Sequence, residues 1–304
     1  MINSILLKGL VNQEVKTTTT QIALWEGIGI WSMAYKKLRY KKTAIEKLNT
    51  DIEQKSKILI KVYGNEPLKL SARIQEHLSS ELKFETKNIT TIKELDELCI
   101  SIENEAIKIQ KKLSKGDFKG DSIEDLIKYS IEKMFNDLSK NFTKKNSEEQ
   151  DNIVKEIIVV LREMPDDHKE KLQQELKVGE LSEKAIKNAI TTGGLGIAFS
   201  ALVEIAGFSA YIFATKTLAA ITGIIGLTLP FSFYVTMTSF MAFLANPIVL
   251  VMLFTGVLGF ITKRSNRKIR NAYIPTLVSQ IAISSTIGVV RIDDLNKLVK
   301  NLRI

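Results

Sequence analysis

The sequence predicts an all-α protein: an elongated helical bundle with a C-terminal apolar, Gly/Ala-rich helical hairpin region. Three observations predict it. Apolar residues recur at helical spacing through almost all of residues 1–190, where alternating strand patterns are hard to find. Helix-capping sequences begin several of these segments. Residues 217–262, which we call the apolar run, then form a stretch of 46 residues without Asp, Glu, Lys, Arg or His.

The first elements are one partly apolar helix and two charged ones. Residues 21–35, QIALWEGIGIWSMAY, hold both tryptophans of the chain. Trp favours membrane interfaces, so an interfacial helix is one interpretation; packing on a helical core is more common, and we favour it. Residues 36–62 predict a long charged helix, and 68–84 a second, with apolar residues at four-residue spacing from Leu70. Such helices suit an ordinary bundle or an extended coiled-coil stalk, and we favour the bundle.

Start signals predict four further helices before residue 190. Thr91 and Glu94 have the spacing of a capping box. Residues 122–138 follow a Gly-containing turn and carry apolar residues at helical spacing. Residues 147–150, SEEQ, have a second capping-box arrangement, and Pro165 begins a helix with acids in its first turn.

The C-terminal third admits two interpretations. About 20 apolar residues of helix cross a bilayer, so the apolar run has length for a two-pass hairpin. Alternatively, its pieces are short helices buried in a protein core, because each piece between breaks is shorter than an ideal span. The predicted hairpin breaks are Pro230, Asn246 and Pro247. Beyond the run, we expect one helix after Pro275 and a short terminal one.

Residues 193–215 are also long enough to span a bilayer but carry Glu204 at their centre. An acid there costs about 2.5–3.5 kcal/mol on insertion scales, which would not prevent insertion. Inside a membrane, Glu204 would face a pore, a partner helix or Lys216. If the segment never enters the bilayer, Glu204 lies on the polar side of a soluble helix.

The net charge of +9 is concentrated beside the apolar run. Residues 1–216 have a net charge of +2 and residues 263–304 a net charge of +7. Cations beside an apolar segment attract anionic lipid, at about 1 kcal/mol each. We therefore expect membrane-lipid contacts from the cluster KRSNRKIR and no nucleic-acid partner, since no recognition motif or interleaved aromatics accompany it. The expected lipid contacts are Lys263, Arg264, Arg267, Lys268 and Arg270.

Little in the sequence is typical of an enzyme. His77 and His168 lie in charged helical segments without metal-ligand spacing, and surface positions are expected for both. The single cysteine, Cys99, occupies an apolar helix position and is expected to be an inert core thiol; one cysteine also gives no disulfide framework. We predict no catalytic residues, no metal site and no cofactor.

Four stretches of the last 140 residues resemble a known family. They are MPDDHKEKLQQEL at 164–176, GGLGIAFSALVEIAGFSAYIF at 193–213, GLTLPFSFYVTMTSFMAFLANPIVLVM at 226–252 and RNAYIPTLVSQIA at 270–282. The order and spacing of these four stretches resemble those of the uncharacterised bacterial YaaW-type family. Where that family has Gly-Pro-Ile/Val-Gly, this chain has Asn246-Pro247-Ile248-Val249. The resemblance implies a helical C-terminal region and brings no activity or catalytic residues.

These features predict three divisions: a charged helical bundle over 1–190, a membrane-hairpin region over 191–262, and a basic segment with C-terminal helices over 263–304. The leading hypothesis is a non-enzymatic, homo-oligomeric, pore-forming or membrane-disrupting effector in a bacterial inner membrane. Its N-terminal domain and C-terminus would lie in the cytoplasm, since the positive-inside bias favours an even number of spans. An unknown protein would act on the N-terminal half. The alternative is a cytoplasmic or peripheral scaffold or chaperone-like protein with its apolar segments buried as core.

Overall fold

The computed structural model describes residues 2–37, 42–86, 88–143, 146–192, 194, 266–286 and 288–302. Every regular element in these ranges is helical, as the sequence predicted. The helices are α1 (Ile5–Asn12), α2 (Val15–Lys37), α3 (Lys42–Tyr63), α4 (Pro67–Leu82), α5 (Ile92–Ser114), α6 (Ile123–Phe142), α7 (Ser147–Arg162), α8 (Asp166–Leu176), α9 (Glu183–Thr191), α10 (Asn266–Ile283) and α11 (Ile292–Asn301). A 3₁₀ turn, Ser284–Thr286, follows α10.

The helices group into two compact units. Unit 1 comprises residues 1–126 and 244–304, and unit 2 comprises residues 127–243. Within the described part of unit 1, the C-terminal helices α10 and α11 therefore pack with the N-terminal ones. The divisions predicted at residues 190 and 262 stay predictions.

The core of unit 1 is built around the short helix α1. Leu6, Leu7 and Leu10 are each fully buried, and α1 contacts α4, α5, α10 and α11. Gly9 lies against the backbone carbonyl of Ile281, so closely that a Cβ at residue 9 would overlap it. Glycine is required here because it lets two helix backbones approach, not because of an unusual φ.

The sequence correctly predicted the buried face of α4 and the capping box at the start of α5. Leu70, Ile74 and Leu78 are buried at one face of α4, as four-residue spacing requires. At the start of α5, the Thr91 hydroxyl accepts from the Glu94 N–H while the Glu94 carboxylate accepts from the Thr91 N–H. This is the predicted capping box.

Two boundary predictions were wrong. The capping box of α7 uses Asn146, not Ser147: the Asn146 Oδ1 accepts from the Glu149 N–H at 2.9 Å, and the Glu149 carboxylate accepts from the Asn146 N–H at 3.2 Å. Asn caps a helix at least as well as Ser, which moves the start by one residue. Helix α10 was expected after Pro275 but runs through it. Interior proline costs about 3 kcal/mol, which burial of the surrounding α10 side chains offsets.

Unit 2 has its own small core. Helices α7 and α9 pack together, and Lys187 Nζ of α9 lies 2.6 Å from the Asp151 carboxylate of α7. A cavity of about 390 Å³ lies between α7, α8 and the start of α9 and is lined by both cations and acids, including Arg162, Lys169 and Glu180. The buried apolar residues of unit 2 include Phe142, Ile153, Val154, Ile157, Leu161, Leu172, Ile186 and Ile190.

None of the helices in the described ranges is long and apolar enough to cross a membrane. The apolar run and residues 195–216 lie outside those ranges, and so do Glu204, Lys216, Pro230, Asn246, Pro247, Lys263 and Arg264.

Candidate functional site

Four helices of unit 1 contribute charged side chains to one cluster, centred on Glu26 of α2. The Glu26 carboxylate lies 3.2 Å from Lys55 Nζ of α3, 3.2 Å from His77 Nε2 and 3.6 Å from Arg73 Nη2, both on α4. Glu26 is 25% exposed and His77 16%. One carboxylate therefore holds together three helices through three basic side chains.

Helix α10 joins this cluster through its first turns. Arg267 Nε lies 3.6 Å from Glu81 Oε1 of α4, which is an ion pair but is too long for a hydrogen bond. The charge of Arg270 acts on His77. Because Arg73, His77 and Glu81 are four residues apart, they share one face of α4. We call Glu26, Lys55, Arg73, His77, Glu81, Arg267 and Arg270 the Glu26 cluster.

Aromatic packing fixes the same junction. The Trp25 and His77 rings stack with centroids 6.0 Å apart and planes 29° apart. Trp25 also packs against Tyr273 of α10, with centroids 6.2 Å apart. Trp25 is 3% exposed and Tyr273 1%, so the contact belongs to the core. The preference for core over membrane interface is thus confirmed for Trp25; the side chain of Trp31 lies outside the described residues.

Electrostatics keep His77 neutral at physiological pH. Burial and then the Arg73 charge lower the pKa of His77 from 6.5 to about 4, although Glu26 opposes the shift. Burial raises the pKa of Glu26, but the hydrogen bond and charge of Lys55, with His77, outweigh it and leave that pKa below its usual value. An ionised carboxylate only accepts, so neutral His77 must carry its proton on Nε2 and donate it to Glu26.

Two of the five cations predicted to contact lipid have described side chains, and both lie in the Glu26 cluster. Arg267 is 59% exposed and pairs with Glu81, whereas Arg270 is half-buried. Lys268 lies on α10, but its side chain is outside the described residues. The cationic segment is therefore continuous with a packed helix.

The Glu26 cluster was not predicted, although the sequence carries a signal for it. Glu26 is the only acid in the 23 residues of α2. Glu204, which was singled out from the sequence, is likewise the only acid in residues 193–215. The prediction of surface histidines was wrong, because His77 is only 16% exposed and His168 only 7%. The His77 ring stacks on Trp25 while its Nε2 lies against Glu26, and the His168 Nε2 lies 3.8 Å from the carboxylate of its neighbour Asp167. The charged residues that flank both histidines conceal this burial in the sequence.

A second polar cluster holds the start of α1. The Asp96 carboxylate of α5 accepts from the Asn3 N–H at 3.1 Å and the Ser4 N–H at 2.9 Å. The Glu103 carboxylate accepts from the Ser4 hydroxyl at 2.9 Å and the Leu6 N–H at 2.6 Å. Two acids thus bind N–H groups at and just before the start of α1, where first-turn N–H groups lack helical partners and negative charge is favoured. Burial raises the pKa of Glu103 despite these bonds.

Cys99 lies between these two acids on α5 and is fully buried. Burial, then the charges of Glu103 and Asp96, raises the pKa of its thiol well above the usual value. The prediction of a core thiol is confirmed, and the raised pKa favours the thiol over the reactive thiolate.

Within the part of the chain that the structure describes, no group of three or more His, Cys, Asp or Glu side chains is placed to hold a metal ion. Comparisons with protein-family models, curated proteins and solved structures gave no match, so the resemblance to the YaaW-type family stays a prediction.

Proposed function

We propose that this chain is a membrane-associated, non-enzymatic helical protein that self-assembles and permeabilises a bilayer. The observation that carries the proposal is the apolar run with five cations in the next eight residues. An apolar segment ending in a cationic cluster is typical of a membrane segment stopped at the cytoplasmic side.

The Glu26 cluster supports this proposal by its position. Helix α10 begins at Asn266, four residues after the apolar run ends at Thr262. Its Tyr273 packs against Trp25, and its Arg267 pairs with Glu81. An inserted run would therefore be attached to a packed helical body rather than to a flexible tether.

Charge sets the proposed topology. A run that crosses the membrane twice leaves the N-terminal helices and the tail at 263–304, whose net charge is +7, on the same, cytoplasmic side of an inner membrane. If residues 193–215 also insert, Glu204 lies at membrane depth and faces a pore lining, a neighbouring subunit or Lys216. Anionic lipid and further copies of the chain are the proposed partners.

A scaffold or chaperone-like role is the second candidate, and one observation favours it. Helix α10 carries Tyr273, Ile274 and Leu277 fully or almost fully buried in unit 1. An apolar segment next to the run thus already packs as protein core, and the run could do the same.

Fractionation of the native protein with alkaline carbonate extraction distinguishes the two candidates. A membrane protein stays in the pellet, and the purified chain then releases dye from vesicles of phosphatidylcholine and phosphatidylserine. Recovery in the soluble fraction, without dye release, overturns the membrane proposal and favours the scaffold.

A truncation lacking residues 193–262 provides the matched comparison. If the deleted part is a membrane hairpin, the remaining helices stay soluble and monodisperse. If it is core, they aggregate, because deletion exposes the surface that it covers.

A further inference from the structure

The outward face of α3 carries exposed aliphatic side chains beside exposed lysines. Ile58 is 59% exposed and Val62 68%, and Lys57 and Lys61 are exposed next to them. Residues three and four apart share one side of a helix, so these four form a continuous surface. We call Lys57, Ile58, Lys61 and Val62 the α3 patch.

The α3 patch carries a local excess of positive charge. Residues 54–63 contain three lysines and no acid, and the nearest acids along the chain are Glu53 and Glu66. Lys55 is paired with Glu26, while Lys57 and Lys61 have no ion pair with a described residue. The charge of the patch thus complements an anionic surface.

We propose that the α3 patch docks on the headgroup region of an anionic bilayer. Aliphatic side chains flanked by lysines are the pattern by which a surface helix lies in that interface. Two aliphatic residues expose far less than the roughly 800 Å² per partner of a standard protein interface, which favours lipid over a second copy. The inference rests on the proposed membrane function and adds a second contact to it.

A single-cysteine probe tests the proposal on the full chain. Native Cys99 is fully buried, so we expect it not to react with a surface label. Ile58→Cys carries an environment-sensitive fluorophore at the patch. Ile292→Cys is the matched control, because Ile292 is 70% exposed but is followed by two acids, Asp293 and Asp294.

With vesicles of equal parts phosphatidylcholine and phosphatidylserine, we expect a blue shift at residue 58 and none at residue 292. Vesicles of phosphatidylcholine alone should give a much smaller shift. Replacing Lys57 and Lys61 together with Gln should weaken the response at residue 58 about 30-fold, at roughly fivefold per lysine. Added salt should weaken it in the same way.

Four results would overturn the inference. A probe at residue 58 that stays in water while the protein sediments with vesicles shows that another surface binds lipid, and the proposed function survives. A shift that needs no vesicles and grows with protein concentration identifies a second copy as the occupant. Equal shifts at both positions show non-specific adsorption. Absence of sedimentation removes the proposed function as well.

Discussion

The lowered pKa of His77 makes the free energy of unfolding of unit 1 decrease at acid pH. A variant that lacks this histidine separates its contribution from those of other titrating groups. The pKa of His77 is about 4 in the folded chain against 6.5 when exposed. A base whose pKa is lowered by folding stabilises the fold fully above pH 6.5, and this stabilisation is lost as pH falls from 6.5 to 4 because the unfolded chain binds the proton first.

The magnitude follows from the same two values. A difference of one in pKa is worth about 1.4 kcal/mol, so the whole effect is about 3 kcal/mol, of which about 2 kcal/mol is lost between pH 7 and pH 5. With His77 only 16% exposed, solvent screening removes little of it. Glu26, whose pKa lies below its usual value, stays ionised at pH 5 and does not contribute.

The assay compares the native chain with His77→Gln, whose amide can still donate to Glu26 but does not titrate. Both tryptophans lie in α2, so tryptophan fluorescence during urea denaturation reports on unit 1. We expect the unfolding free energy of the native chain to fall by about 2 kcal/mol more than that of the variant between pH 7 and pH 5. Equal losses would refute the assignment, since the other titrating groups are common to both proteins.

Substitutions at three further residues test how α1 is held. All are measured by urea denaturation at pH 7 against Lys93→Ala, an exposed control expected to change stability by less than about 0.5 kcal/mol. Gly9→Ala should cost about 1–3 kcal/mol, because its Cβ meets backbone rather than a movable side chain; a neutral result would contradict the close approach of α1 and α10. Leu7→Ala should cost about 2–5 kcal/mol by leaving a cavity at a fully buried site, and a smaller loss would mean that α1 is peripheral. Glu103→Ala should cost about 1–3 kcal/mol by removing the acceptor for Leu6 N–H, and Glu103→Gln less; equal costs would argue against that bond.

Local signals predicted most helices but not their partners. The spacing on α4 and the Thr91–Glu94 box involve residues a few positions apart, so periodicity and capping rules identify them. The bond from Ser4 to Asp96 joins residues 92 apart. Nothing near Ser4 indicates that acid, so the burial of α1 could not be predicted from the sequence.

The failures at Pro275 and at the histidines have one cause, which is tertiary packing. Burial of the flanking α10 residues offsets the missing hydrogen bond at Pro275, and contact with Trp25 places His77 inside despite charged neighbours. The functional prediction rests on residues 217–262, where composition rather than packing carries the information.

The burial of α10 limits which part of the chain could enter a membrane. Five of its larger side chains are at most 1% exposed, and exposing each of them to water costs about 1.5–3 kcal/mol. Withdrawing α10 would therefore cost about 7–15 kcal/mol, comparable to the whole stability of a typical domain. Insertion must then leave α10 in place and involve only residues before Asn266. Of the five cations, Lys263 and Arg264 precede the helix and are the better candidates for lipid contact. Arg267 instead pairs with Glu81 of α4, and Arg270 is half-buried. The five buried side chains are Tyr273, Ile274, Leu277, Val278 and Ile281.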